Sequence, residues 1–153
     1  DELFALYSDR EIRKYFPDGV LTLAETREHL EWYIDGPRDH PELGLWATIH
    51  KETGMFIGRC GLLPWDIEGK QEVEIAYLLD KSFWHQGLAT EAAQGILEYG
   101  LWKLDLSRLI CMMAPENNAS QRVAQRLGMS LEGNMDGIAA DNFTTLIYAI
   151  HRP

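Results

Sequence analysis

Long apolar runs, basic clusters and cysteines are all scarce in this sequence, and each scarcity closes off a class of protein. No apolar stretch approaches the ~20 residues that a membrane-spanning helix needs. The opening residues Asp1-Glu2-Leu3-Phe4 lack the basic segment and apolar stretch of a secretory signal. Only Cys60 and Cys111 carry thiols, far apart and each inside an apolar segment. That usage reads as two buried free thiols in a reducing compartment, so a cytoplasmic location is expected. Lys and Arg number 14 against 24 Asp and Glu, a formal net charge of −10. Nucleic acid requires clustered Lys and Arg, so no nucleic-acid partner is expected. The acidic field suits a cationic partner, although the same charge also serves ordinary solubility. There is no H-E-x-x-H and no paired Cys/His spacing, so no metal is expected.

The 153 residues, 46% of them apolar, suffice for one core, and no repeat or linker interrupts them, so residues 1–153 read as a single domain. Apolar spacing predicts a helix over Glu2 to Phe16, broken by Pro17-Asp18-Gly19. A second helix is expected after Thr22, with Glu25 completing a capping box and Leu30, Tyr33 and Ile34 on its inner face. Leu45–His50 and Met55–Leu63 read as a hairpin, followed by a polar loop over Pro64 to Lys70. Glu72–Leu79 is a third strand with Glu72 and Glu74 on one face and Val73, Ile75 and Tyr77 on the other. Thr90–Leu104 is an amphipathic helix, Arg108–Met113 a strand, and Asn118–Leu127 a helix closed by Gly128. Leu131–Met135 and Phe143–Ile150 form a last hairpin. This order of elements implies an α/β domain with a mixed sheet.

The segment Leu78 to Ala92 carries the most chemistry. A strand ends, a loop follows, and a long helix begins just past Gly87 and Ala89. Main-chain N–H groups at a helix N-terminus bind anions, and Gly87 allows a phosphate to approach the backbone closely. No Lys or Arg lies between Trp84 and Glu91, so a bound anion must rely on N–H groups. Neither G-x-x-x-x-G-K-S/T nor G-x-G-x-x-G occurs. A lone Gly before a helix equally suits an ordinary tight turn.

The run EIAYLLDKSFWHQGLATEAAQGILEYG, followed by PENNASQRVAQRLGMSLEG, resembles the acyl-CoA core of the GNAT superfamily of N-acetyltransferases, and within it the branch that acetylates N-termini of ribosomal proteins. The likeness covers Glu72 to Gly133. It implies a mixed, mostly antiparallel sheet flanked by helices, with acetyl-CoA as co-substrate. Trp84-His85-Gln86-Gly87-Leu88-Ala89 aligns with the family's pyrophosphate loop R/Q-x-x-G-x-G/A, and His85 stands where the branch usually has Gly. The resemblance assigns pyrophosphate binding to the N–H groups of Gln86 through Thr90. It assigns pairing with the pantetheine arm to the main chain of Leu78 and Leu79. Asn117 matches the Asn that contacts the cofactor arm, though Asn is also a common helix cap. The Tyr that many members place seven residues later is Ala124 here; Ser120, which matches the branch pattern N-x-x-S, is the candidate donor to the departing thiolate, though a capping or packing Ser equally suits the position. Members normally begin with a strand before the first helix; here the first strand is missing, and the sheet edge it would expose favours a homodimer.

The reaction implied is transfer of acetyl from acetyl-CoA to a primary amine: a protein N-terminus, a polyamine or an aminosugar. Glu74 is the candidate base, with Glu72 second, and an N–H near Leu78 is the candidate oxyanion donor. Trp32, Tyr33, His40, Trp46 and Trp65, with the hairpin Gly133 to Phe143, are candidates for the acceptor groove. The alternative is an acetyl-CoA-binding module without catalysis.

Overall fold

The computed structural model describes residues 1–37, 39–138 and 143–153. Six strands form one sheet in the order β1-β2-β3-β4-β6-β5. They are β1 (Gly44–Ile49), β2 (Phe56–Ile67), β3 (Lys70–Leu79), β4 (Arg108–Met113), β5 (Ser130–Asp136) and β6 (Thr144–His151). Every neighbouring pair is antiparallel except β3 and β4. That pair is linked by α3 (Leu88–Glu98), as a parallel crossover requires. α1 (Glu2–Tyr7) and α2 (Leu23–Asp35) precede the sheet, and α4 (Asn118–Arg126) lies between β4 and β5.

Alternation along the strands sends two apolar sets to opposite faces. Cys60, Leu62, Ile75, Leu109, Cys111 and Met113 pack against Ala93 and Leu97 of α3 and Ala124 of α4. On the other face Leu78 meets Leu6, Tyr7, Ile12 and Leu21 from the N-terminal segment. Further along that face, Ile67, Ile110 and Ala149 form a third cluster.

The capping box at Thr22 is present in full: the Glu25 N–H donates to Thr22 Oγ1, and the Thr22 N–H donates to the Glu25 carboxylate at 2.7 Å. The inner face of α2 differs from the expected one. Thr26 is buried and Tyr33 half-buried, whereas Leu30 and Ile34 are exposed. The first helix is also shorter than its apolar spacing predicts. The Asp9 carboxylate accepts the N–H groups of Glu11 (2.8 Å) and Ile12 (3.2 Å), which turns the chain out of the helix. The expected loop over Pro64 to Lys70 is mostly strand, since β2 runs to Ile67 and pairs Pro64 with Val73. The helix expected to reach Leu104 ends as α3 at Glu98 and continues as a π-helical turn over Tyr99–Lys103. The expected final hairpin is observed as β5 and β6, with residues 139–142 of its connection outside the described residues.

Gly61 fixes how closely β1 lies on β2. A Cβ there would sit 2.0 Å from the Gly44 carbonyl oxygen and 2.9 Å from the Leu45 Cα. Both contacts are backbone and cannot rotate away. Gly61→Ala is expected to cost at least about 2 kcal/mol, read as a lower urea midpoint at unchanged slope.

Candidate active site

β3 and β4 form a ladder pair only at Glu74 with Ile110, and beyond it the pairing ends. A cleft of about 720 Å³ opens between them. β3 contributes Glu74 to Leu79, β4 and its exit contribute Cys111 to Ala114, and the first turns of α3 and α4 close one end.

The phase of the β2–β3 ladder decides which main-chain groups face this gap. Asp80 N–H donates to the Ile57 carbonyl at 2.8 Å, and bonded pairs alternate along an antiparallel ladder. Leu78, opposite Arg59, therefore turns its main-chain groups toward β2, and Ile75, Tyr77 and Leu79 turn theirs toward β4. The Cys111 thiol lies 3.5 Å from the Ile75 carbonyl, on the β4 side as this phase requires. Leu78, expected at the cofactor arm and the oxyanion, lies in the phase bonded to β2, and Tyr77 and Leu79 occupy the phase facing the gap. The Leu79 carbonyl accepts the Trp84 indole N–H at 2.9 Å, which leaves the Leu79 N–H and the main chain of Tyr77 toward the gap.

The α3 N-terminus has the form an anion seat needs. Gly87 caps it at φ 81°, ψ −3°, with no side-chain cap. The first intrahelical bond runs from the Glu91 N–H to the Gly87 carbonyl, so Leu88, Ala89 and Thr90 keep N–H groups without a helical partner. All three line the cleft, and a Cβ on Gly87 would meet nothing within 4 Å, so backbone conformation selects Gly there. His85 also lines the cleft and holds φ 62°. The left-handed conformation explains the Gly usual at this position in the branch the sequence resembles. The His85 ring is solvent-exposed, which is how a side chain is accommodated. Gln86 does not line the cleft; its side-chain amide donates back to the Ser82 carbonyl at 3.1 Å.

At α4, Asn117 is the cap: its Oδ1 accepts the Ser120 N–H at 3.2 Å. Asn118 donates instead to the Glu116 carbonyl. The Ser120 carbonyl accepts the Tyr77 hydroxyl at 3.1 Å, and Asn117 and Ser120 both border the cleft. Ala124 is fully buried in the core.

Glu74 sits where the strands part. Burial pushes its carboxyl up to about 7, only partly offset by the Trp65 indole N–H bound at 2.8 Å, the charge of Arg59 and the Met112 N–H. Glu72, two residues earlier on the same face, is different. Arg108 Nε binds it at 2.9 Å and Lys70 Nζ at 2.5 Å, and it lies outside the cleft. Both cations engage the Glu72 carboxylate away from the cleft, so Glu74 and not Glu72 faces the space where an acceptor would sit. Of the aromatic candidates only Trp65 lines the cleft. Tyr33 bonds Tyr7 at 2.9 Å, Trp46 stacks edge-on against Tyr99 at the β1 edge, Trp32 is exposed, and His40 pairs with Glu42. Phe143, which ends the hairpin expected to border the groove, does line it, and so do Tyr15, Phe16, Arg59 and Thr145. Among the described residues Thr145 Oγ1 is a buried side-chain oxygen without a partner. The charged Arg59 inside the apolar run Phe56–Leu63 was a signal for one of these; nothing in the sequence marks Tyr15, Phe16 or Thr145.

A six-strand mixed sheet that parts beside a Gly-capped helix is the architecture that the resemblance implies. A family model for the acetyltransferase (GNAT) domain matches residues 1–130, and the chain belongs to that family. The donor in this family is acetyl-CoA, and membership makes the chain an acyltransferase, not a binding module. It is similar to the uncharacterized protein YkkB of Bacillus subtilis (strain 168), 33% identical over 81% of this chain and 71% of that protein. It is 31% identical to the uncharacterized N-acetyltransferase p20 of Bacillus licheniformis, over 87% of this chain and 74% of that one. A GNAT acetyltransferase structure from Bacillus anthracis superposes with TM-score 0.82 at 26% identity, covering 97% and 86% of the two chains. The fold is also that of the ribosomal L7/L12 acetyltransferase RimL solved with coenzyme A, with TM-score 0.75 at 22% identity over 98% and 85%.

Glu74 makes stability pH-dependent. Its carboxyl stands at about 7 in the fold against 4.5 for an ordinary glutamate. The stability from preferential protonation is complete below pH 4.5 and is lost as pH rises through 7. Glu74→Gln is therefore expected to match wild type near about pH 4 and to exceed it by roughly 3 kcal/mol near about pH 8.5, read by chemical denaturation.

Proposed function

We propose that the chain transfers the acetyl group of acetyl-CoA to a primary amine, drawn from protein N-termini, polyamines and aminosugars, by direct attack in a ternary complex. The observation that carries this reading is Glu74, a buried carboxyl balanced near neutrality at the mouth of the β3–β4 gap. A base must match its working pH, and an amine must lose a proton to become a nucleophile. Glu74, directly or through a water, takes the ammonium proton. The amine nitrogen then attacks the acetyl carbon, and the developing oxyanion meets the N–H groups of the gap-facing phase, Tyr77 or Leu79. The C–S bond breaks and coenzyme A leaves as a thiolate.

The N–H groups of Leu88, Ala89 and Thr90 are suited to the pyrophosphate, with His85, Gly87 and Trp84 forming the turn that presents them. The Ser120 hydroxyl borders the cleft without a hydrogen bond to a described residue, which supports it as donor to the thiolate. Asn117 contributes by capping α4 under that hydroxyl. Two further parts of the reading rest on less. Cys60 and Cys111 are both buried free thiols, which supports the cytoplasm. Among the described residues β1 is at the edge of the sheet and carries exposed Trp46 and Ile49, which supports a homodimer through that strand.

Acetyl-CoA is expected to raise the melting temperature, and Gly87→Pro to abolish that shift, since proline cannot adopt the left-handed cap. Glu74→Gln should lower kcat by about 10²–10⁴-fold and remove an acid limb centred near 7 from the rate profile, measured by thiol release. Turnover retained in Glu74→Gln would dismiss Glu74 as the base.

A further inference from the structure

Arg13 and Arg59 are both buried and both stack on Tyr7 and Phe16, yet only one of them is neutralised. Arg13 Nη2 binds the Asp18 carboxylate at 2.5 Å, and its Nε donates to the Gly19 carbonyl. Arg59, 8% exposed, donates Nε to the Tyr7 hydroxyl at 2.5 Å. Its guanidinium carbon lies 5.5, 6.0 and 5.8 Å from the rings of Tyr7, Phe16 and Tyr33. Among the described residues no carboxylate comes within ion-pair distance of it, and its two terminal nitrogens make no hydrogen bond. A buried charge is normally paired, because desolvation is otherwise uncompensated. Arg59 instead lines the cleft.

Its position relative to Glu74 gives the missing partner a place. Arg59 is opposite Leu78 and Leu63 is opposite Glu74, so strand alternation puts Arg59 and Glu74 on one face of the sheet. Between those two pairs lie Gly61 and Ala76, which offer no side chain and a methyl group. The floor from the cation to the acid is therefore low. With Nε engaged by Tyr7, the guanidinium keeps its two-nitrogen edge, whose parallel N–H groups match a carboxylate.

We propose that this face is the acceptor subsite, and that the acceptor is a primary amine bearing a carboxylate, with the amine at Glu74 and the carboxylate on Arg59. This rests on the acetyl-transfer reading above, keeps its primary amine, and replaces its acceptor list with amines that carry a carboxylate. The net charge of −10 favours a cation at long range. The local charge selects a zwitterion, whose amine is attracted by that field and whose carboxylate meets Arg59.

The test sets matched acceptors against wild-type protein with acetyl-CoA: α-amino acids against their carboxamides, and glycine, β-alanine and 4-aminobutanoate against the corresponding alkylamines and against phosphoethanolamine. The acid is expected to exceed its amide or amine by at least ~10-fold in kcat/KM. Arg59→Met should erase that ratio while acetyl-CoA still raises its melting temperature, and Arg59→Lys should restore part of the ratio. Equal or better use of amides, polyamines or phosphoethanolamine overturns the proposal, as does loss of the acetyl-CoA shift in a folded Arg59→Met. If that variant does not fold, the wild-type ratio decides alone. If acetyl-CoA stabilises nothing, the transfer reading itself fails. The carboxylate subsite is then judged by whether the acids, and not their amides, raise the wild-type melting temperature.

Discussion

The single ladder pair between β3 and β4 governs the molecule. Two parallel strands that pair only at Glu74 and Ile110 and then separate leave main-chain groups that a continuous sheet would have satisfied. Exposing them is costly unless something replaces the lost ladder. The Trp84 indole does so for the Leu79 carbonyl, and the rest of that phase faces the cleft. The separation is held from behind. Tyr77, Ala93, Leu97, Cys111 and Ala124 pack as one cluster on the α3/α4 side, so the strands cannot close without disrupting the core. The wedge is thus a packed feature of the fold, and the helix N-termini that converge on it are fixed by the same cluster.

Glu74 and Glu72 show how little sequence distance separates a structural acid from a reactive one. Both lie on β3, both are buried, and both point to the same face. Glu72 has two cations in contact and works as the hub of a network that also includes Glu132, whose carboxyl Arg108 and His151 hold down at about 2. Glu74 has a neutral indole and a more distant guanidinium, so burial dominates and its proton affinity rises. The fold gives up stability at high pH to keep that group poised. An ion pair there would remove the penalty and with it the basicity.

Much of this was legible from residue patterns. The limits of β4, α4 and the capping box at Thr22 follow from local chemistry: alternation, Asn117 and Gly128, and a Thr followed three residues later by Glu. The phase of the β3 main chain was not legible. Side-chain alternation separates the two faces of a strand but not the edge toward which each residue's N–H points, so residue pattern cannot separate Leu78 from its neighbours Tyr77 and Leu79. The inner face of α2 was misplaced for a related reason. Its apolar residues are spread around the helix, and Tyr33 is held inward by its bond to Tyr7 and by the Arg59 guanidinium over its ring. Asp9 ended α1 by a side-chain turn inside an otherwise helical spacing. The cleft residues from the N-terminal segment, Tyr15 and Phe16, come from the turns that follow.

His85 is the clearest case of the backbone explaining a residue. A left-handed residue other than glycine costs about 1–2 kcal/mol relative to its relaxed conformation. Here two left-handed residues, His85 and Gly87, flank Gln86 in the turn between β3 and α3, and His85 alone of the two carries that cost. The turn is pinned at both sides: Asp80 accepts the Ser82 N–H, Trp84 is tied to Leu79, and Gln86 is tied to Ser82. These bonds over-determine the conformation, so the strain at His85 persists instead of relaxing. What the strain secures is the direction of the N–H groups of Leu88, Ala89 and Thr90, which a relaxed turn would aim elsewhere. Since the contribution is made by the main chain, the identity of the exposed ring is secondary. That is why a histidine can occupy a position whose physical demand is for glycine.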